Sequence, residues 1–161
     1  MVDEERKQHA LELFQQAYER QMTGQLEEAI VCYQRSLECY PTSEAYTFLG
    51  WTYSFMGRYD DAIQECLRAI AVDPDFGNPY NDIGAYLIEL GRLDEAIPWL
   101  QKATIAKRYE SHCFPHFNLG RVYERKGEWQ QALAAYTRAL ELNSEYLLAA
   151  HALNRLRGMM S

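Results

Sequence analysis

Four glycines constrain this chain more than any other feature. Gly24, Gly57, Gly91 and Gly127 each follow an apolar-periodic run, lie 33, 34 and 36 residues apart, and precede an alanine five positions on (Ala29, Ala62, Ala96, Ala132). A period near 34 means that one supersecondary unit is used four times. A helix–turn–helix of that length cannot bury its apolar face alone and must stack on its neighbours. Each glycine stands where a first helix ends and the chain reverses, a position that takes left-handed backbone and penalises a Cβ.

The copies run over about 10–42, 43–76, 77–110 and 113–146. The second is the most complete, with Tyr46, Leu49-Gly50, Tyr53, Gly57-Arg58-Tyr59, Ala62-Ile63, Ala69-Ile70 and Asp73-Pro74. One small residue per copy (Ala17, Gly50, Gly84, Gly120) is expected to face the alanine after the turn, letting the paired helices approach. A second set (Ser36, Ala69, Ala103, Ala139) is small where each second helix meets the next copy. Tyr33, Tyr46, Tyr53, Tyr59, Tyr80, Tyr123, Trp129 and Tyr136 are expected to fill the remaining space. Pro41 and Pro74 stop second helices, while Pro79 and Pro115 suit first turns. Residues 145–158 read as a ninth, capping helix with Leu148, Ala152 and Leu156 inward, and Asp3 as an N-cap for an extended first helix. The spacing therefore predicts an all-α, right-handed solenoid of antiparallel helix pairs in one domain over 1–161.

These residues resemble the tetratricopeptide repeat consensus over about nine tenths of the chain. The resemblance implies a protein-binding solenoid whose first helices line a concave face, with repeat positions 2, 5, 9, 12 and 13 forming its stripe. The candidate groove residues are Phe14, Tyr18 and Met22 in the first copy, Trp51 and Phe55 in the second, Asn81 and Ile88 in the third, and Phe114, Phe117, Arg121 and Arg125 in the fourth. Apolar side chains not demanded by packing suit a partner's amphipathic helix or apolar extended peptide. The carboxylate clamp of the family's chaperone-binding members would fall on Phe14, Tyr18, Phe48, Asn78 and Asp82, none of them a cation, so an acidic heat-shock tail is not the expected ligand. Arg121 and Arg125 could meet acidic groups of a ligand or pair with Glu124 and Glu128.

Charge and composition narrow the function. The net charge of −7 would repel a polyanion, so no nucleic acid is expected. No apolar run spans a bilayer, and the start, Met1 to Lys7, is too charged for a signal peptide, so a cytoplasmic location with reduced cysteines is expected. His112, Cys113 and His116 lack the four-ligand framework of a structural zinc site, and no metal or cofactor is expected. No nucleophile elbow or phosphate loop is present, so the chain is not expected to be an enzyme. The resulting expectation is an adaptor or scaffold module that binds another protein. Two alternatives stay open: a dedicated chaperone similar to those of type III secretion, and a self-associating unit, hence a possible homo-oligomer.

Overall fold

Helices fill the intervals between the glycines. In a computed structural model, which describes residues 2–161, the described residues form nine of them: α1 (Asp3–Met22), α2 (Leu26–Cys39), α3 (Ser43–Phe55), α4 (Tyr59–Val72), α5 (Asn78–Glu89), α6 (Leu93–Thr104), α7 (Cys113–Arg125), α8 (Trp129–Leu142) and α9 (Leu147–Met160). The turn after α3 shows how each pair reverses. Gly57 adopts φ 73°, Gly57 N–H donates to the Ser54 carbonyl and Arg58 N–H to the Tyr53 carbonyl at 3.0 Å. This Schellman-type closure satisfies carbonyls that the helix leaves open, and the other three turns repeat it. Acidic residues (Glu27 and Glu28, Asp60 and Asp61, Asp94 and Glu95) then occupy the first turns of α2, α4 and α6, where the helix dipole favours them.

The chain divides into two compact units at the junction of the second and third repeats. The first ends at Pro74 and the second is Asp75–Ser161. In the first unit α1 pairs with α2, α3 pairs with α4, and α2 packs on α3. Ala17, Ala29, Ala45, Ala62, Cys66 and Ala69 have no exposed surface there, and Tyr33 is buried among them. A Cβ on Gly50 would lie 2.8 Å from the Ala62 carbonyl oxygen, so α3 and α4 approach backbone to backbone at this point. Ser36, also buried, donates to the Ala10 carbonyl at 2.7 Å and ties α2 to α1.

In the second unit α5 pairs with α6 and α7 with α8, α6 and α5 pack on α7, and α9 packs on α8. Gly84 and Gly120 meet Leu100 and Tyr136, one helical turn beyond the alanines expected to face them. α9 buries Ala149, Ala152, Leu153 and Leu156, and the last three cluster with Ala132 and Tyr136 of α8. Leu148 is 61% exposed rather than inward, because the buried set at 149, 152, 153 and 156 fixes a register that turns it away. Trp129, the first residue of α8, lies beyond the packed turns and is 41% exposed, so it does not fill the space assigned to it. Asp3 is the first residue of α1 and Val2 its cap, so the expected Asp3 cap does not form.

The longer connection before α7 has a structural partner. Phe76 and Arg108 form a parallel bridge: Arg108 N–H donates to the Asp75 carbonyl at 2.9 Å and Gly77 N–H to the Arg108 carbonyl at 3.0 Å. The Arg108 guanidinium lies 4.1 Å from the Phe76 ring centre, and Tyr109 packs so tightly on Gly77 that a Cβ there has no room. Pro98 sits inside α6, removing the bond that the Asp94 carbonyl would receive.

Candidate functional site

A 20-residue α1 makes the main feature of the first unit. It extends about two turns upstream of the start of the repeat pattern and carries Lys7, Ala10, Leu11, Phe14 and Tyr18 along one face at helical spacing. With Ser36 and Tyr40 of the second helix and its C-cap, and Thr42, Glu44 and Phe48 around the start of α3, these residues line a cleft of about 650 Å3. Its walls are apolar except at the rims, where Lys7 pairs with Glu4 at 3.4 Å and lies 5.2 Å from the Tyr40 ring centre.

Phe48 is the hub of the walls. Its ring centre lies 5.2 Å from Phe14, 5.9 Å from Tyr18 and 5.8 Å from Trp51, all edge-on, and Trp51 continues to Phe55 at 4.7 Å. Edge-to-face pairs of this kind hold rings in fixed orientations. Beneath them the Tyr33 hydroxyl donates to Gln21 Oε1 at 2.7 Å, and burial pushes the Tyr33 phenol above the ordinary range. The rings are thus fixed from below while the walls stay open: Leu11 is 48% exposed and Tyr18 41%.

Of the sequence-predicted residues, the structure brings Phe14, Tyr18, Trp51 and Phe55 into this array, and Met22 lies exposed at the end of α1. Lys7, Tyr40 and Thr42 join the cleft without having been predicted for it, whereas Leu11 and Glu44 stand at position 2 of the expected stripe. The helical continuation of the stripe upstream of residue 10 was the signal for Lys7.

The second unit distributes its predicted residues differently. Ile88 has no exposed surface and belongs to the core rather than to a groove. Asn81 is buried too, accepting from Asn118 Nδ2 at 2.9 Å. Phe117 packs on Tyr136 and Tyr146 at 5.6 and 5.2 Å, and Phe114 meets Tyr146 edge-on at 5.3 Å. Burial by these rings pushes the Tyr146 phenol up to about 12. Arg121 donates to Asn118 Oδ1 at 3.0 Å and Glu89 Oε1 at 3.1 Å, and Arg125 to the Ile88 carbonyl at 3.3 Å. Neither uses Glu124 or Glu128, which are taken by Arg155 and Lys126.

The histidines and cysteines have packing roles. His112 Nε2 lies 2.9 Å from the Ala106 carbonyl, and its ring lies 5.2 Å from Tyr109. Burial pushes the Cys113 thiol up and the His116 imidazole down. Among the described residues no three His, Cys, Asp or Glu side chains are grouped to hold a metal, and no two cysteines are joined. No described helix is long and apolar enough to cross a membrane.

Comparison with known proteins bears on this architecture. Two tetratricopeptide repeat models match residues 75–145 and 43–76, which together exceed half of the chain. Anaphase-promoting complex subunit 3 of Schizosaccharomyces pombe is 29% identical over 123 residues, covering 76% of this chain and 18% of that protein. Small glutamine-rich tetratricopeptide repeat-containing protein 2 of Mycosarcoma maydis is 35% identical over 75 residues, 46% of this chain and 21% of that protein. The chain therefore spans about a fifth of the length of the curated relatives it matches. Among solved structures, Pseudomonas aeruginosa pilF superposes with a TM-score of 0.87 at 24% identity, over 94% of this chain and 68% of that one. YrrB, described as a TPR protein with an unusual peptide-binding site, gives 0.70 at 22% identity, over 98% of this chain and 80% of that one. These likenesses show the fold, an all-α helical-repeat solenoid.

Proposed function

The chain belongs to the tetratricopeptide repeat family, and from that premise we propose that it binds an apolar helical or extended segment of another polypeptide in the aromatic cleft of its first unit. The family is a protein–protein interaction scaffold in general; the specific site is our reading. One observation carries it: a cleft of about 650 Å3 whose walls are Leu11, Phe14, Tyr18 and Phe48, with Leu11 and Tyr18 left substantially exposed. Exposed large apolar side chains converging on one concavity are what a binding anchor fills, and aromatic walls supply most of the affinity of such sites. A peptide-binding site in YrrB lends support at the level of fold only.

The sequence explains the choice of ligand. Phe14, Tyr18 and Phe48 stand where charge-reading members of the family carry Lys and Asn, so the cleft selects by apolar shape rather than by a terminal carboxylate. The activity that follows is holding a partner, with no chemical step.

Affinity capture from native lysate tests this. Leu11→Glu and Tyr18→Glu change exposed positions and should keep the wild-type circular dichroism spectrum, while each puts a carboxylate on the apolar wall. Each should weaken a captured partner about tenfold or more, the equivalent of ~1.4 kcal/mol. Equal capture by wild type and variants would move the site to the convex face or to residues 107–116, and the reading would fail.

A further inference from the structure

The acidic balance of the chain is reversed at one place in the second unit. A cavity of about 310 Å3 is lined by Arg121, Arg125 and Arg155 with a single carboxylate, Glu124, and two aromatic side chains, Trp129 and Tyr136. The carboxylate is already engaged: Glu124 Oε1 accepts from the Tyr136 hydroxyl at 2.8 Å and from Arg155 Nη2 at 2.6 Å. Arg121 is neutralised from the rim by Glu89 at 3.1 Å. Arg125 has no such partner. Its one hydrogen bond is the 3.3 Å contact to the Ile88 carbonyl, and no carboxylate among the described residues lies within 4.0 Å of it.

Arg121 and Arg155 are thus spoken for, and the planar fork of Arg125 is left to take a carboxylate edge-on with two parallel hydrogen bonds. Beside it Trp129 exposes 41% of its surface, where Leu26, Tyr59 and Leu93, its counterparts in the other repeats, are half-buried. A cation with an open fork next to an exposed indole is a pair that reads an acidic side chain and its apolar neighbour together.

We propose that this cavity is a second docking site, one that seats an aspartate or glutamate of a partner polypeptide on Arg125 with a flanking apolar side chain against Trp129. The net charge of −7 favours a short acidic segment over a nucleic acid, because a long polyanion would meet repulsion everywhere outside the cavity. The proposal goes beyond the apolar cleft: it lies in the other unit and selects by charge.

The test uses the full chain labelled with 15N and two peptides, acetyl-Asp-Leu-Glu-Phe-Asp-Leu-amide and its Asn/Gln counterpart. With the acidic peptide at millimolar concentration, the Trp129 indole N–H and Arg125 Nε–H resonances should shift saturably, and the amide peptide should bind about tenfold more weakly. Arg125→Gln, an exposed substitution, should abolish the difference between the peptides. Lys126→Gln alters a neighbouring cation paired with Asp94 and Glu128 outside the cavity, and should preserve that difference. Leu11→Glu should leave it intact too, so failure of the cleft reading and failure of this one are separable. Absence of shifts, equal binding of both peptides, equal losses in Arg125→Gln and Lys126→Gln, or displacement by a single-stranded oligonucleotide at equal concentration would each overturn the proposal.

Discussion

Leu100→Ala should lower the unfolding free energy of the second unit by about 2–5 kcal/mol, and adding Gly84→Ala to it should return part of the loss. Leu100 is fully buried on α6, and a Cβ built on Gly84 of α5 would fall on Leu100 Cγ and Cδ2, closer than any real side chain tolerates. In the wild-type background Gly84→Ala overpacks this spot, at about 1–3 kcal/mol, offset by roughly 1 kcal/mol of improved helix propensity. In the Leu100→Ala background the same methyl enters the space the leucine vacates. The two substitutions should therefore be non-additive by about 1 kcal/mol or more in the compensating direction. Urea denaturation in a Trp51→Phe background, where the remaining tryptophans, Trp99 and Trp129, both lie in the second unit, reads the cycle. Additive losses would mean that the helices separate rather than share this volume, and the close approach described for the pair would be wrong.

That approach shows why so much of the fold was legible. A glycine at 84 or 120 and the bulky residue it accommodates recur at the same repeat positions, and the φ-positive glycines mark each reversal, so local chemistry and repeat period point to one answer. The ligand-facing surface was less legible, because a stripe at positions 2, 5, 9, 12 and 13 is wider than the open face. Position 12 turns inward at Gln21 and Ile88, and position 5 at Thr47 and Asn81. The exposed line follows positions 2 and 13, with Leu11, Met22, Glu44, Phe55, Glu89, Phe114 and Arg125. A 100° turn per residue cannot distinguish a side chain facing a groove from one wedged against the next helix pair. Trp129 and Leu148 were misplaced for a related reason: a consensus aromatic or leucine packs only if a neighbouring turn exists to receive it, and both stand at helix beginnings. The bridge of Phe76 to Arg108 left no signal, since it is made by backbone groups of an irregular connection.

Asp82→Asn should stabilise the second unit at pH 8 and leave it nearly unchanged below pH 4. Asp82 lies half-buried on α5, and burial pushes its pKa up from the ordinary 3.8 to about 7. Between those values the folded chain holds a proton that the unfolded chain has released. Stability contributed by this group is therefore fully present below about pH 4, falls as pH rises toward 7, and is flat above it. Asparagine keeps the shape of the protonated acid and removes the charge, so the wild-type minus variant difference should open across that window to a few kcal/mol at most. Taking the difference matters because other groups titrate there. Burial raises Glu65 in the first unit, which acts in the same direction. It lowers His116 in the second, whose contribution instead grows as pH rises toward 6.5. Both cancel between wild type and variant, as does the general acidity of the chain. Thermal melts at pH 4, 6 and 8 read by Trp99 and Trp129 would show the divergence. A constant difference across the series would mean that Asp82 is charged and solvated in the folded protein, and that α5 is more open at this turn than the structure has it.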